Sequence, residues 1–90
     1  MHTVELLEKA LLTAEKLGYR VRQELLDGPG AACEIKGERW LFLDIASSPL
    51  DKLHIVGDVL ARELKRLREQ AESPAIDPAL VTFLANHRAA

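Results

Sequence analysis

The sequence predicts a small α+β domain with elements in the order α-β-β-β-α-α. Three observations support this prediction. Apolar residues recur at helical spacing near both ends of the chain. Between residues 19 and 45, apolar residues alternate with polar ones with a period of two. Two pairs of a capping residue followed by proline mark the starts of helices. Because the strands are joined by short connections, we expect antiparallel neighbours, and therefore a three-stranded antiparallel meander with flanking helices.

The first helix is predicted between Thr3 and Gly18. Thr3 is a suitable N-cap, and Gly18 can adopt the left-handed conformation that ends many helices. The apolar stripe of this helix consists of Val4, Leu7, Leu11 and Ala14.

Three strands are predicted next. Residues 19–26 alternate in polarity, 27–30 form a turn or loop, and a second short strand contains Cys33. The third strand, 39–45, is apolar on both faces apart from its one acidic residue, so we expect it to be the most buried. The alternation places Cys33 at an inward position and predicts a buried structural cysteine.

The long second helix starts at Ser48, with Pro49 in its first turn, and is predicted to end near residue 70. Its apolar positions include Leu53, Val56, Leu60, Leu64 and Leu67. We expect it to pack with the first helix on one face of the sheet, burying Leu60 against Phe42. Trp40 shares a strand face with Phe42, and we expect another element of the fold to cover these two aromatic side chains.

A short third helix follows a break at Ser73 and Pro74. It begins at Asp77 and Pro78 by the same cap-plus-proline logic. We therefore divide the chain into a core domain, residues 1–72, and a linker with a short helix, residues 73–90, that packs on the core or on a partner subunit. The side chains predicted to make this interaction are Ile76, Leu80, Phe83 and Leu84.

Composition excludes several classes of function. Ninety residues suit a single domain, and a net charge of −2, from 12 basic and 14 acidic residues, argues against a nucleic-acid partner. The absence of an apolar run of about 20 residues argues against a membrane partner. The single cysteine, Cys33, permits no internal disulfide and no Cys-x-x-Cys metal site. With an early acid at Glu5 in place of a signal peptide, we expect a cytoplasmic protein.

Three other patterns have ordinary structural explanations. The glycine-containing loop 27–30 could present backbone N–H groups to an anion, but a strand connection explains it better. Basic residues between 62 and 68 complement the negative end of a helix dipole. Glutamates are interspersed with Arg20, Arg22 and the other basic residues of the predicted strands, which favours cross-strand charge pairs over phosphate binding. We expect no stacked aromatic platform of the kind that single-strand binders use.

One local pattern has the spacing of a metal site. His54 and Asp58 lie four residues apart on a helix that directly follows a strand, with Ile55 and Gly57 between them. This arrangement resembles minimal zinc metallopeptidase (zincin-like) domains, over residues 39–65. In that family a glutamate follows the first histidine and activates the zinc-bound water. Since Ile55 occupies that position, the resemblance implies a degenerate member without peptidase activity, in which His54 and Asp58 are the remaining candidate metal ligands.

The sequence therefore leaves two functional hypotheses open. The first is a small non-catalytic cytoplasmic domain that binds another protein or itself, as a homodimer, without a cofactor. The alternative is a degenerate zinc-peptidase-like domain that keeps a metal-binding or peptide-binding site. An i,i+4 polar pair on the solvent side of the helix explains His54 and Asp58 better than a metal site does, so we predict no metal and no cofactor.

Overall fold

A computed structural model describes residues 2–28, 30–70 and 75–87, and it contains three helices and three strands. The elements are α1 (Thr3–Lys16), β1 (Tyr19–Glu24), β2 (Gly30–Ile35), β3 (Glu38–Asp44), α2 (Pro49–Glu69) and α3 (Pro78–Asn86). This confirms the α+β class and the order α-β-β-β-α-α. The predicted helix break at Ser73 and Pro74 lies outside the described residues.

Local capping signals explain where α2 and α3 begin. The Ser48 hydroxyl accepts a hydrogen bond from the Asp51 amide at 3.1 Å, and the Asp77 carboxylate accepts one from the Ala79 amide at 2.9 Å. In α1 the helix already includes Thr3, and His2 is the N-cap without a side-chain hydrogen bond. The predicted start of α1 is thus one residue late.

The sheet is not the antiparallel meander that the short connections predicted. Its strand order is β1-β3-β2, with β3 parallel to β1 and antiparallel to β2. Residues 25–29 join β1 to β2, and five residues easily bridge the gap of about 10 Å that a strand inserted between them creates. The most apolar strand, β3, takes the central position, where it can bury Leu41 and Leu43 completely.

The two faces of β3 are used differently, and this corrects the predicted location of Phe42. Leu41 and Leu43 point toward the helices and are fully buried, whereas Trp40 and Phe42 point to the opposite side and are half-buried. Leu60 is fully buried, as predicted, but packs in the core that contains Leu41 rather than against Phe42. Because both faces of β3 are apolar, the sequence alone does not indicate which face meets the helices.

The helices lie on the Leu41 side of the sheet, where α1 and α2 contact the strands and α3 packs on those two helices. α1 and α2 also pack against each other. Lys9 of α1 contacts the Asp77 carboxylate at the start of α3, with Nζ 2.6 Å from Oδ2. The hydrogen bond from Lys9 lowers the pKa of Asp77 below its ordinary value. α3 therefore packs on the core of residues 1–72, which is one of the two arrangements that the sequence left open.

Gly30, at the start of β2, is required by the close approach of β2 to β3. Its φ is +96°, in the region that favours glycine, and a Cβ atom there would clash with the carbonyl oxygen of Phe42. Gly30, the last residue of the predicted loop 27–30, thus serves strand pairing. The predicted loop also includes Pro29, which lies outside the described residues.

Candidate protein-interaction surface

The side of the sheet that faces away from the helices is the main candidate surface. Paired residues on neighbouring strands point to the same side, and the register pairs Trp40 with Arg20 and Cys33, and Phe42 with Arg22 and Ala31. We call this side the outer sheet face; its central residues are Arg20, Arg22, Ala31, Cys33, Trp40 and Phe42. None of the described helices contacts it, since each packs in the opposite layer.

An aromatic pair occupies the middle of the outer sheet face. The rings of Trp40 and Phe42 are stacked, with centroids 5.8 Å apart and planes inclined by 13°. The Arg20 guanidinium lies 5.6 Å from the centroid of the Trp40 ring, within the distance for a cation–π contact. The period of two along the strand places both rings on one face, as predicted, but it does not indicate that the rings stack.

The arginines of this face are paired with glutamates of the same face. Arg20 contacts Glu38 across the strands, with Nη2 3.0 Å from Oε1, as the predicted cross-strand charge pairing requires. Arg22 contacts Glu24 on its own strand, with Nε 2.5 Å from Oε1. These side chains are largely exposed, so the pairs add little stability. Their effect is to give the face charges of both signs.

A shallow hollow of about 340 Å³ adjoins the aromatic pair. It is lined by the small residues Ala31 and Cys33, by Phe42, and by residues of the loop that precedes β2. Cys33 is exposed, which corrects the prediction of a buried cysteine. The physical reason is its register: because Cys33 pairs with Trp40, it shares the outer sheet face rather than the core side.

His54 and Asp58 lie as predicted one turn apart on α2, where His54 is exposed and Asp58 is half-buried. The fold brings His87 to them from the end of α3. His87 Nε2 lies 2.6 Å from Asp58 Oδ1, and the His54 and His87 rings are 5.8 Å apart. Local spacing could not reveal His87, which is 29 residues from Asp58 along the chain. Among the described residues, no three potential ligands are arranged to hold a metal ion.

The predicted interaction residues of α3 face the chain's own core. Leu80 is fully buried and Leu84 is 9% exposed, while Ile76 and Phe83 are half-buried against the same core. Val81, on the other side of α3, is 43% exposed. Most of the apolar surface of α3 is therefore already used within the chain.

A charge cluster centred on the buried carboxylate of Glu63 joins α2 to the sheet. Glu63 is 7% exposed, and its Oε1 accepts hydrogen bonds from Arg39 at 2.6 Å and from Arg66 at 2.5 Å. The hydrogen bond from Arg66 is the largest influence that lowers the pKa of Glu63, with Arg39 adding to it against the effect of burial. The hydrogen bond to Glu63 in turn raises the pKa of Arg39. The carboxylate thus remains ionised in the folded protein at neutral pH.

Comparisons with known proteins identify no relative: no family model, no curated protein and no solved structure matches the chain. Among the described helices, none combines the length and apolar character needed to cross a bilayer. The functional argument therefore rests on the geometry of the surfaces described above.

Proposed function

We propose that the chain is a protein-interaction domain that forms a two-fold homodimer through its outer sheet face. The observation that carries this proposal is the stacked pair of Trp40 and Phe42 on a sheet face that no described helix covers. Large aromatic side chains are enriched at the centres of protein interfaces, where burying them contributes much of the binding free energy. A second sheet laid on this face would supply that burial.

The shape of the face suits a second copy of the same chain. A two-fold interface requires that one patch contain both a projection and a matching hollow, since the patch meets itself. The outer sheet face has both: the Trp40 and Phe42 rings project from β3, and the hollow over Ala31 and Cys33 lies beside them on β2. A ring from one subunit can then enter the hollow of the other.

The charges also favour a second copy over a polyanion. Both arginines at the centre of the face are engaged by glutamates, at Arg20–Glu38 and Arg22–Glu24. A phosphate backbone would have to displace these carboxylates and would be repelled by them. A surface with both signs is compatible with itself when rotated by 180°, because each acidic side chain can approach a basic one.

The size of the face indicates modest affinity. Three strands about 4.8 Å apart and about 20 Å long give a flat footprint of roughly 300 Å², before the relief of the side chains is counted. Stable interfaces usually bury about 800 Å² of accessible surface on each partner. We therefore place the dissociation constant of the dimer at roughly 1–100 μM.

Trp40 provides a direct test because it is the only tryptophan in the chain. Its fluorescence emission should shift to longer wavelength as the protein is diluted from about 100 μM to below 1 μM, since dilution exposes the ring. Cys33→Glu places a charge beside Trp40 and should give the long-wavelength spectrum at every concentration. Cys33→Ser, the uncharged control, should follow the wild type. A wild-type spectrum independent of concentration over this range contradicts the proposal.

A further inference from the structure

A second concavity, separate from the outer sheet face, lies between α2 and the inner side of β2. Its volume is about 450 Å³, and its apolar lining includes Ile55 and Val59 of α2 and Ala32 of β2. Along β2, every residue from 31 to 35 is exposed, on both faces of the strand. The helices thus leave the inner side of β2 uncovered, which opens the cleft.

The cleft reaches the free edge of β2. In the strand order β1-β3-β2, the strand β2 has β3 on one side and no strand of the described chain on the other. Ala31 and Ala32 both line the cleft, although consecutive side chains of a strand point to opposite faces. The cavity therefore contacts the backbone of β2, and the free edge of this strand carries N–H and C=O groups that are available for another strand.

The lining of the cleft contains two arginines, and one of them forms no ion pair within the described part of the chain. Glu63 is held by two arginines, and Asp58 lies against His87. Arg62 is exposed and uses its Nε to donate to the backbone carbonyl of Asp58 at 3.3 Å, and it forms no ion pair with any described residue. The Arg62 side chain lines the cleft, and a guanidinium can bind a carboxylate through two of its nitrogens.

We propose that this cleft binds an extended peptide segment of a partner protein, which adds to β2 as a fourth strand and places an acidic side chain at Arg62. Main-chain hydrogen bonds to the β2 edge supply affinity, as in other cases of strand addition, and the side-chain contacts supply selectivity. Small or β-branched side chains on the inward positions of the peptide fit against Ala32 and Val59. This inference does not depend on the homodimer, which uses the other face of the sheet.

The test begins with random heptapeptides displayed on phage and selected on the full-length protein. We expect selected peptides to alternate β-branched residues with others and to carry Asp or Glu at one fixed position. A synthetic peptide of the selected sequence, labelled with fluorescein, is then titrated by fluorescence anisotropy. Arg62→Glu should weaken binding by about tenfold or more.

Two controls separate this site from general effects of charge. Arg68→Glu makes the same change on α2 at an exposed residue outside the cleft and should leave the affinity unchanged. A peptide in which the acidic residue is replaced by lysine should bind the Arg62→Glu variant more tightly than the wild type. Bound peptide should also slow amide hydrogen exchange in residues 30–35, because β2 gains a neighbouring strand.

Several outcomes would overturn the inference. One is a selection that yields no enriched sequence, and another is an enriched peptide that binds the wild type and the Arg62→Glu variant equally. Slower exchange at residues 40–42 in place of 30–35 would locate binding on the outer sheet face. Slower exchange of β2 in concentrated protein without peptide would show that a second copy of the chain occupies the edge.

Discussion

Replacing Glu63 by glutamine tests the charge cluster that connects α2 to β3. The substitution keeps the size of the side chain but removes the charge that binds Arg39 and Arg66. Hydrogen bonds to charged groups contribute about 1.5–3 kcal/mol each to stability. The two arginine side chains are 38% and 46% exposed, so water can solvate them again once the carboxylate is gone. We therefore expect the free energy of unfolding to fall by about 1–3 kcal/mol. This loss is smaller than the loss expected when a fully buried charge is left without a partner.

The pH dependence of this difference follows from the lowered pKa of Glu63. The ordinary value is 4.5, and the hydrogen bond from Arg66, followed by that from Arg39, lowers the pKa in the folded state. The carboxylate therefore contributes its full stabilisation above pH 4.5, and this contribution is lost as the pH falls through the lower folded-state pKa. The stability difference between wild type and Glu63→Gln should be greatest at neutral pH and shrink in acid.

Urea unfolding followed by circular dichroism at a series of pH values measures both effects. Glu69→Gln is the matched control, because Glu69 is an exposed glutamate at the end of the same helix. It should change the free energy of unfolding by no more than about 0.5 kcal/mol. Equal unfolding midpoints for wild type and Glu63→Gln at pH 7, or a difference that grows in acid, would refute the reasoning.

Three further substitutions test the core, the sheet and a helix cap, each by urea unfolding. Leu60→Ala should lower the free energy of unfolding by about 2–5 kcal/mol because Leu60 is fully buried. Leu12→Ala, at a residue that is 57% exposed, should lower it by less than about 0.5 kcal/mol. Equal losses would contradict the placement of Leu60 in the core and of Leu12 at the surface. Gly30→Ala should lower the free energy of unfolding more than Gly37→Ala does. Both glycines have positive φ, but only Gly30 lies against a carbonyl oxygen of β3. The reverse order would contradict the pairing of β2 with β3. Ser48→Ala should cost about 1 kcal/mol by removing the N-cap of α2, and no loss would argue against that cap.

Features that depend on nearby residues could be predicted from the sequence. The starts of α2 and α3 were predictable because a capping side chain and a proline act within one helical turn, at Ser48–Pro49 and Asp77–Pro78. The fully buried Leu60 was predictable from helical spacing alone. These signals are local, so tertiary structure had little opportunity to override them.

Features that depend on distant residues could not be predicted. The insertion of β3 between β1 and β2 is a choice of neighbours that loop length does not determine. The exposed position of Cys33 and the location of Phe42 on the outer sheet face follow from which face of β3 meets the helices, and both faces of that strand are apolar. The contact between Asp58 and His87 requires α3 to fold back on α2, which no spacing in the sequence indicates.

Sedimentation equilibrium is the most direct test of the central claim, that the outer sheet face joins two copies of the chain. The predicted dissociation constants extend up to about 100 μM. At that protein concentration, the average mass of the wild type should be well above the 10.0 kDa of one chain. The average mass should approach that of two chains as the concentration rises further. Cys33→Glu should remain at the mass of one chain, while Cys33→Ser should match the wild type and thereby exclude a disulfide-linked dimer. A wild type that stays monomeric at this concentration, or a Cys33→Glu variant that associates as the wild type does, would contradict the claim.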